Sequence, residues 1–434
     1  MDSHYKPKKL TLVTFLQSVY LSVLFTSRND LFSYAAACAF GFLMSFVPVV
    51  MMTLVILLRV LRANPAPIIQ LAGVSPLISS LVNIENLIQS IQQIRQVTNF
   101  EIILAIAIIW MARRFFISLV RSMKRIFNQT YRVQKGMTQA LAFASESVLI
   151  ILLSLLIFAI ISIRTIVKLP LSTQLNMRYP ELMDSFANLI TTTVPFILIF
   201  IGTVIVYRFA SRTKPTLLEC LVPAGGCVFA TWGFRKLMKL FINVNRYNSV
   251  YGVMSNVIVL LLEVYFFFLI FLFFAQYLFV NQFFDTLVLG ELYVLPDHDD
   301  IKPKSILRRL LFIRPDSLLA AEPNVITLHS GESIYQQGDF STDSFYLVKG
   351  TVQVTGTNSF NYITRGMFFG EESCMLEERR TEDAVAVSDA EIIRIPEELF
   401  FSLLEKNPTV AQKALSQISA YYSKFYGRNE DYSL

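Results

Sequence analysis

A chain of 434 residues exceeds one ordinary domain, and 54% hydrophobic content with a mean hydropathy of +0.52 argues against a wholly soluble protein. The formal charge of +6 carries no nucleic-acid signature, because Lys and Arg gather at the ends of apolar runs, where they orient membrane proteins. Of the four cysteines, Cys38, Cys220 and Cys227 lie in apolar segments and Cys374 lies outside them, a pattern that argues against a disulfide framework.

In chain order, Lys6, Lys8 and Lys9 precede an apolar stretch interrupted by Gln17, Ser18, Ser22 and Ser27, which is not the pattern of a cleaved signal. Leu10 to Phe25 reads as an amphipathic helix in the membrane interface, within an N-terminal segment 1–30. Six membrane spans follow between 31 and 285: Leu31 to Leu58, Phe100 to Val120, Ala140 to Ile163, Phe186 to Tyr207, Leu217 to Leu240 and Val250 to Val280. Each approaches or exceeds the roughly 20 residues needed to cross a bilayer. Arg121, Lys124, Arg125, Arg132 and Lys135 fall after the second span, and Arg208, Arg212 and Lys214 after the fourth. With the N-terminal lysines they place both termini in the cytoplasm, although Arg235, Lys236, Lys239 and Arg246 near the fifth connection count against that orientation. Ala66 to Gln96 has helical spacing and reads as outer helices on the bundle or membrane surface.

Ionisable groups in hydrocarbon are costly, which makes Glu146, Glu219 and Glu263 candidates for a polar path, with Arg113 and Arg114 as partners and Asn256 on the Glu263 face. The same groups also fit purely structural pairs or helix ends. Gly225 and Gly226 fit close helix packing better than ligand contact, and Pro48 and Pro195 suggest kinks.

The segment 286–315 reads as a linker or coupling region, with a short amphipathic helix over Ser305 to Phe312. From 316 to 426 the pattern is that of a small β-roll (jelly roll) with flanking helices, followed by a tail over 427–434. Alternation predicts strands over Ser333 to Tyr335, Ser344 to Val348 and Thr351 to Val354, punctuated by Gly331, Gly338, Gly350 and Gly366. Glu397 to Tyr426 reads as two helices, where Tyr421 or Tyr422 either stacks on a base or packs on the roll.

Two resemblances attach to these patterns. Ala35, Ala36, Ala37 and Phe40, then Ser45, Phe46, Val47 and Pro48, resemble the first span of the YihY/BrkB family of bacterial inner-membrane proteins. Trp110, Phe116 and Arg125 to Phe127 resemble its second block, and Pro223 to Gly225, Tyr247 to Gly252, Tyr265 and Ala275 its last. Glu263, Arg113, Arg114 and Gln276 depart from the family pattern. The resemblance implies an integral membrane protein of transporter type. It also carries an old ribonuclease label, which fits this chain poorly: His4, His298 and His329 are its only histidines, and they lack metal-ligand spacing.

Gly331 and Glu332, Gln337 to Asp339, Tyr346, Gly350 and Val352, then Gly366 and Phe369 to Glu371, closely resemble the cyclic-nucleotide-binding domain family. That resemblance implies a ligand such as cAMP or cGMP held by Gly370, Glu371, Ser373, Arg380 and Thr381, with Glu371 accepting the ribose hydroxyl and Arg380 holding the phosphate. Glu382 and Asp383 stand where the family has small residues, and a carboxylate about 4 Å from the ligand anion costs roughly 1 kcal/mol in water and about 4 at an effective dielectric of 20.

The expectation is an α-helical polytopic membrane bundle plus a C-terminal β-roll. Its function is that of a transporter or translocator of the bacterial inner membrane, regulated by the roll. The alternative is a membrane-anchored receptor or scaffold with a non-binding roll, and a ribonuclease is the weakest reading. The lipid bilayer, a cyclic nucleotide, an unspecified transported substrate and a homo-oligomeric copy are the expected partners. No nucleic acid, metal, catalytic residue or other cofactor is expected.

Overall fold

The computed structural model describes residues 12–55, 115, 117–127, 196–209, 215–241, 253–294, 324–356 and 359–426. The third span, the Ala66 to Gln96 stretch and the Ser305 to Phe312 helix lie outside the described residues. The chain forms two compact units, one comprising Val23–Phe279 and the other Met1–Ser22 with Val280–Leu434.

The helical part begins with α1 (Leu12–Arg28) and α2 (Leu31–Val55), joined by a tight turn in which Asp30 takes a positive φ of 55°. Helix α1 buries Thr14, Gln17, Ser18 and Ser22 and exposes Leu12, Val13, Phe15, Leu16 and Val23. Its hydroxyls bond back along the helix, Ser18 Oγ to Thr14 O at 2.9 Å and Ser22 Oγ to Ser18 O at 2.7 Å.

Helix α3 (117–126) and α4 (Phe196–Phe209) cover the described parts of the second and fourth expected spans. Helix α5 (Leu217–Phe241) and α6 (Val253–Gln282) reproduce the fifth and sixth within a few residues, and each contains a segment long and apolar enough to cross a membrane. Gly226 lets α5 approach α6, since a Cβ there would lie 2.9 Å from Phe274 Cζ. Tyr207 Oη donates to Phe271 O at 2.7 Å and ties α4 to α6. Asn29 Nδ2 donates to Gln276 Oε1 at 3.0 Å, joining the first turn to α6 where Gln276 is fully buried.

Phe283 alone separates α6 from α7 (Phe284–Val294), in which every residue except Asp285 is buried. Most of α7 falls in the segment expected to be a linker. All-round burial explains why: with no solvent-facing side, the run has no amphipathic period to detect.

The roll contains β1 (Val325–Leu328), β2 (Ser333–Tyr335), β3 (Ser344–Lys349), β4 (Thr351–Gly356), β5 (Ser359–Thr364) and β6 (Phe368–Phe369). After α8 (Glu371–Leu376) come β7 (Glu382–Ala386) and β8 (Ala390–Ile395), then α9 (Glu397–Lys406) and α10 (Pro408–Tyr426). Two antiparallel four-stranded sheets, ordered β1-β8-β3-β6 and β2-β7-β4-β5, enclose a core of Leu328, Tyr335, Phe345, Leu347, Val352, Val354, Phe369, Ala384, Ala386, Ala390 and Ile392. Gly350 makes the β3–β4 turn with φ +94°, and a Cβ there would meet Asp389 O at 2.5 Å. Helix α7 packs on α9 and α10 so closely that a Cβ at Gly290 would lie 3.2 Å from Val410 Cγ2.

Candidate functional site

The fold brings the predicted ligand residues of the roll together. Strand β6 delivers the chain to Gly370, whose φ of +75° turns it into α8 and places Glu371 at that helix's start. Arg380 arrives just before β7. Its backbone is locked into the β2–β3 loop, with Gly338 N donating to Arg380 O at 2.8 Å and Arg380 N to Asp339 O at 2.9 Å.

The Arg380 side chain is 2% exposed. Nη1 donates to Gly370 O at 2.7 Å, and Nη2 donates to Ser341 Oγ at 3.1 Å and to Asp343 O. The guanidinium carbon lies 4.2 Å from the Tyr335 ring centre, within a stack formed by Tyr335, Phe345 and Phe369. Its Nε has no hydrogen-bond partner among the described residues. Among the described residues no carboxylate pairs with this cation; Asp343 gives its carboxylate to Arg394 Nε at 2.6 Å. Burial lowers the pKa of Arg380, partly offset by Tyr335 and Asp343.

Glu371 is 6% exposed, and its Oε1 accepts Gln417 Nε2 from α10 at 3.1 Å. Burial pushes its carboxyl up to about 7, the neighbouring Glu372 charge adds to the shift, and the Gln417 hydrogen bond and Lys413 charge oppose it. Ser373 is buried on α8, and Thr381 is half-buried beside Arg380.

Asp383, expected to repel an anion, is directed elsewhere: its Oδ1 accepts Gln337 N at 2.6 Å. Glu382 stands opposite Gly356 in the β4–β7 register, where a Cβ on that glycine would meet its Oε1 at 3.1 Å. Sequence reasoning missed Ser341, Asp343, Lys413, Gln417 and Tyr293. Gln417 had a signal, since Val410, Lys413, Ala414 and Gln417 follow i, i+3, i+4, i+7 spacing and a polar side chain interrupts that packed stripe. The side chains of Tyr421 and Tyr422 lie outside the described ones.

The membrane candidates resolve differently. Glu263 forms an ion pair with Arg235 of α5, a partner other than the expected Arg113 or Arg114. Glu219 belongs to a capping box at the start of α5: Thr216 N donates to Glu219 Oε2 at 3.2 Å and Glu219 N to Thr216 Oγ1 at 3.4 Å. Asn256 lies in α6, but its side chain is outside those described, as are Glu146, Arg113 and Arg114 altogether. Among the described residues no group of three His, Cys, Asp or Glu side chains could hold a metal ion.

The model of the cyclic nucleotide-binding domain matches residues 325–407, a stretch that holds the eight strands of the roll together with Glu371 and Arg380. The chain as a whole belongs to the virulence factor BrkB family, whose model matches residues 25–282. Among the described residues two helices are long and apolar enough to cross a membrane, in keeping with a membrane family, and neither family is typically enzymatic. Comparison with curated proteins finds no match. Similar solved structures include the Thermus thermophilus catabolite activator protein, at 25% identity over 27% of this chain and 59% of that one, with a TM-score of 0.22. A structure described as "A cyclic-GMP-dependent signalling pathway regulates bacterial phytopathogenesis" is 19% identical over 26% of this chain and 94% of that one, TM-score 0.22. A cAMP-bound PfPKA-R is 16% identical over 32% and 45%, respectively, TM-score 0.23.

Proposed function

We propose that this chain is a six-span protein of the bacterial inner membrane that moves a substrate across the bilayer under the control of its roll, which binds a cyclic nucleotide in the cytoplasm. The membrane domain occupies 31–285 and the binding domain 316–426. Arg380 carries the ligand half of the reading: a fully buried guanidinium with a vacant Nε donor and no paired carboxylate among the described residues is a costly arrangement unless an anion completes it. A cyclic phosphate supplies that anion, and Glu371 beside it accepts a ribose hydroxyl.

The orientation with both termini in the cytoplasm rests on the Lys and Arg residues that follow the second and fourth spans. The test is direct: the full chain in lipid nanodiscs is titrated with cAMP and cGMP beside its Arg380→Gln variant, and flux from proteoliposomes is followed with and without the nucleotide that binds. Saturable binding lost in the variant, with flux that changes on binding, supports the reading. Binding without flux of any ion, solute or lipid reporter leaves a membrane-anchored receptor.

A further inference from the structure

The contacts of Gln417 give this ligand site a device of its own. Its Nε2 donates to Glu371 Oε1, the carboxylate assigned above to the ribose hydroxyl, while its Oε1 accepts the Tyr293 hydroxyl of α7. One amide thus joins the ligand carboxylate to the helix that begins one residue after α6.

Tyr293 is held on several sides. Its ring packs edge-on against Phe368 of β6 at 5.0 Å and Phe400 of α9 at 5.8 Å. Lys413 Nζ donates to Tyr293 O at 2.7 Å and lies 4.8 Å from the ring centre. That bond places a cation on a carbonyl in the last turn of α7, where the helix dipole favours positive charge. Phe368 lies two residues before Gly370 and three before Glu371, so the same short stretch of chain touches both the ligand residues and Tyr293.

We propose that Gln417 is a built-in competitor for the nucleotide sugar, and that its displacement from Glu371 unfastens α10 from Tyr293 of α7. This rests on the nucleotide reading of the site. Gln417 faces two partners through one rigid amide plane, so a ligand hydroxyl that takes the place of Gln417 Nε2 on Glu371 Oε1 turns the amide and with it breaks the bond to the Tyr293 hydroxyl. Ligand and clasp are then mutually exclusive, and an equilibrium between them is the differential affinity that regulation requires. The consequence reaches α6 along the chain itself, through Phe283.

The test uses the full chain in nanodiscs, with cAMP and cGMP as probes, and compares wild type with Gln417→Ala and Tyr293→Phe. Removing the competitor exchanges one hydrogen bond, so Gln417→Ala is expected to bind about two- to tenfold more tightly. Tyr293→Phe keeps the ring contacts and loses only the hydroxyl. It is expected to tighten binding to a smaller extent and to raise amide exchange in residues 284–294 to the level that nucleotide produces in wild type. Binding by Gln417→Ala when wild type shows none also supports the clasp. Equal or weaker affinity in Gln417→Ala, from a chain that binds nucleotide as wild type, overturns the clasp and leaves the nucleotide site standing. No binding by any of the three chains, with the roll amides protected in each, sinks the nucleotide reading and the clasp with it.

Discussion

Substituting Arg380 by Gln removes a buried cation while keeping an amide donor of shorter reach, and its effects on stability and on binding should diverge. The wild-type guanidinium makes bonds to Gly370 O, Ser341 Oγ and Asp343 O, which contribute about 1 kcal/mol net apiece, near 3 in all. Its place over the Tyr335 ring at 4.2 Å contributes about 1 more. Against these stands the cost of burying a charge with no carboxylate paired to it among the described residues, which is several kcal/mol. The two sides nearly cancel, so the roll should change in stability by no more than about 2 kcal/mol in either direction. Ligand binding has no such compensation: two charge-assisted bonds to a phosphate are worth about 1.5–3 kcal/mol each, so affinity should fall by at least about a hundredfold. Hydrogen exchange at the β3 and β7 amides of the full chain measures the first quantity, and displacement of a fluorescent cyclic nucleotide the second. A loss of more than about 4 kcal/mol in amide protection would refute the reasoning, because Arg380 would then be holding the fold together instead of waiting for an anion.

Glu371 sets a pH dependence. Its folded pKa of about 7 lies above its ordinary value of 4.5, so the folded roll keeps a proton that the unfolded chain loses, and stability should decline as pH rises from 4.5 to 7 and then level off. Amide exchange across that interval checks this, and Glu371→Gln should flatten the slope. Gly370→Ala should weaken nucleotide binding at least tenfold and destabilise the roll by roughly 1–2 kcal/mol, since the position has φ +75° and a Cβ would lie 2.6 Å from Arg380 Nη1. Breaking the Arg235–Glu263 pair should lower the thermal stability of the detergent-solubilised protein in either single variant, Arg235→Gln or Glu263→Gln, and the double variant should recover most of the loss. Additive losses in the double variant would show that the two groups act separately.

The parts of this structure legible in the sequence are those fixed by neighbours along the chain. Strands β2, β3 and β4 start where alternation and the glycine turns place them, because a pleat of period two and a positive φ at Gly338 or Gly350 are local requirements. Helices α5 and α6 are legible for the same reason, as apolar length is a local property. Pairings across the chain are not encoded that way. Nothing local marks Arg235, 28 residues before Glu263, as its partner; the packing of α5 on α6 brings the two together. Asp383 looked like a charge facing the ligand until the fold brought Gln337 N to it from 46 residues away. Gln417 stands equally far from Glu371, and Tyr293 is 124 residues from Gln417. Motif spacing alone proposes Arg380 and Glu371 as ligand residues, and the fold brings them to the two ends of the segment around α8. The clasp uses residues that no motif requires, on helices whose contact depends on the small Gly290 and the packed Val410. A ligand site of this kind is therefore readable from its turns, while its control is written in long-range packing. Substitutions on α7 and α10 that leave every nucleotide contact intact should still alter the response to nucleotide.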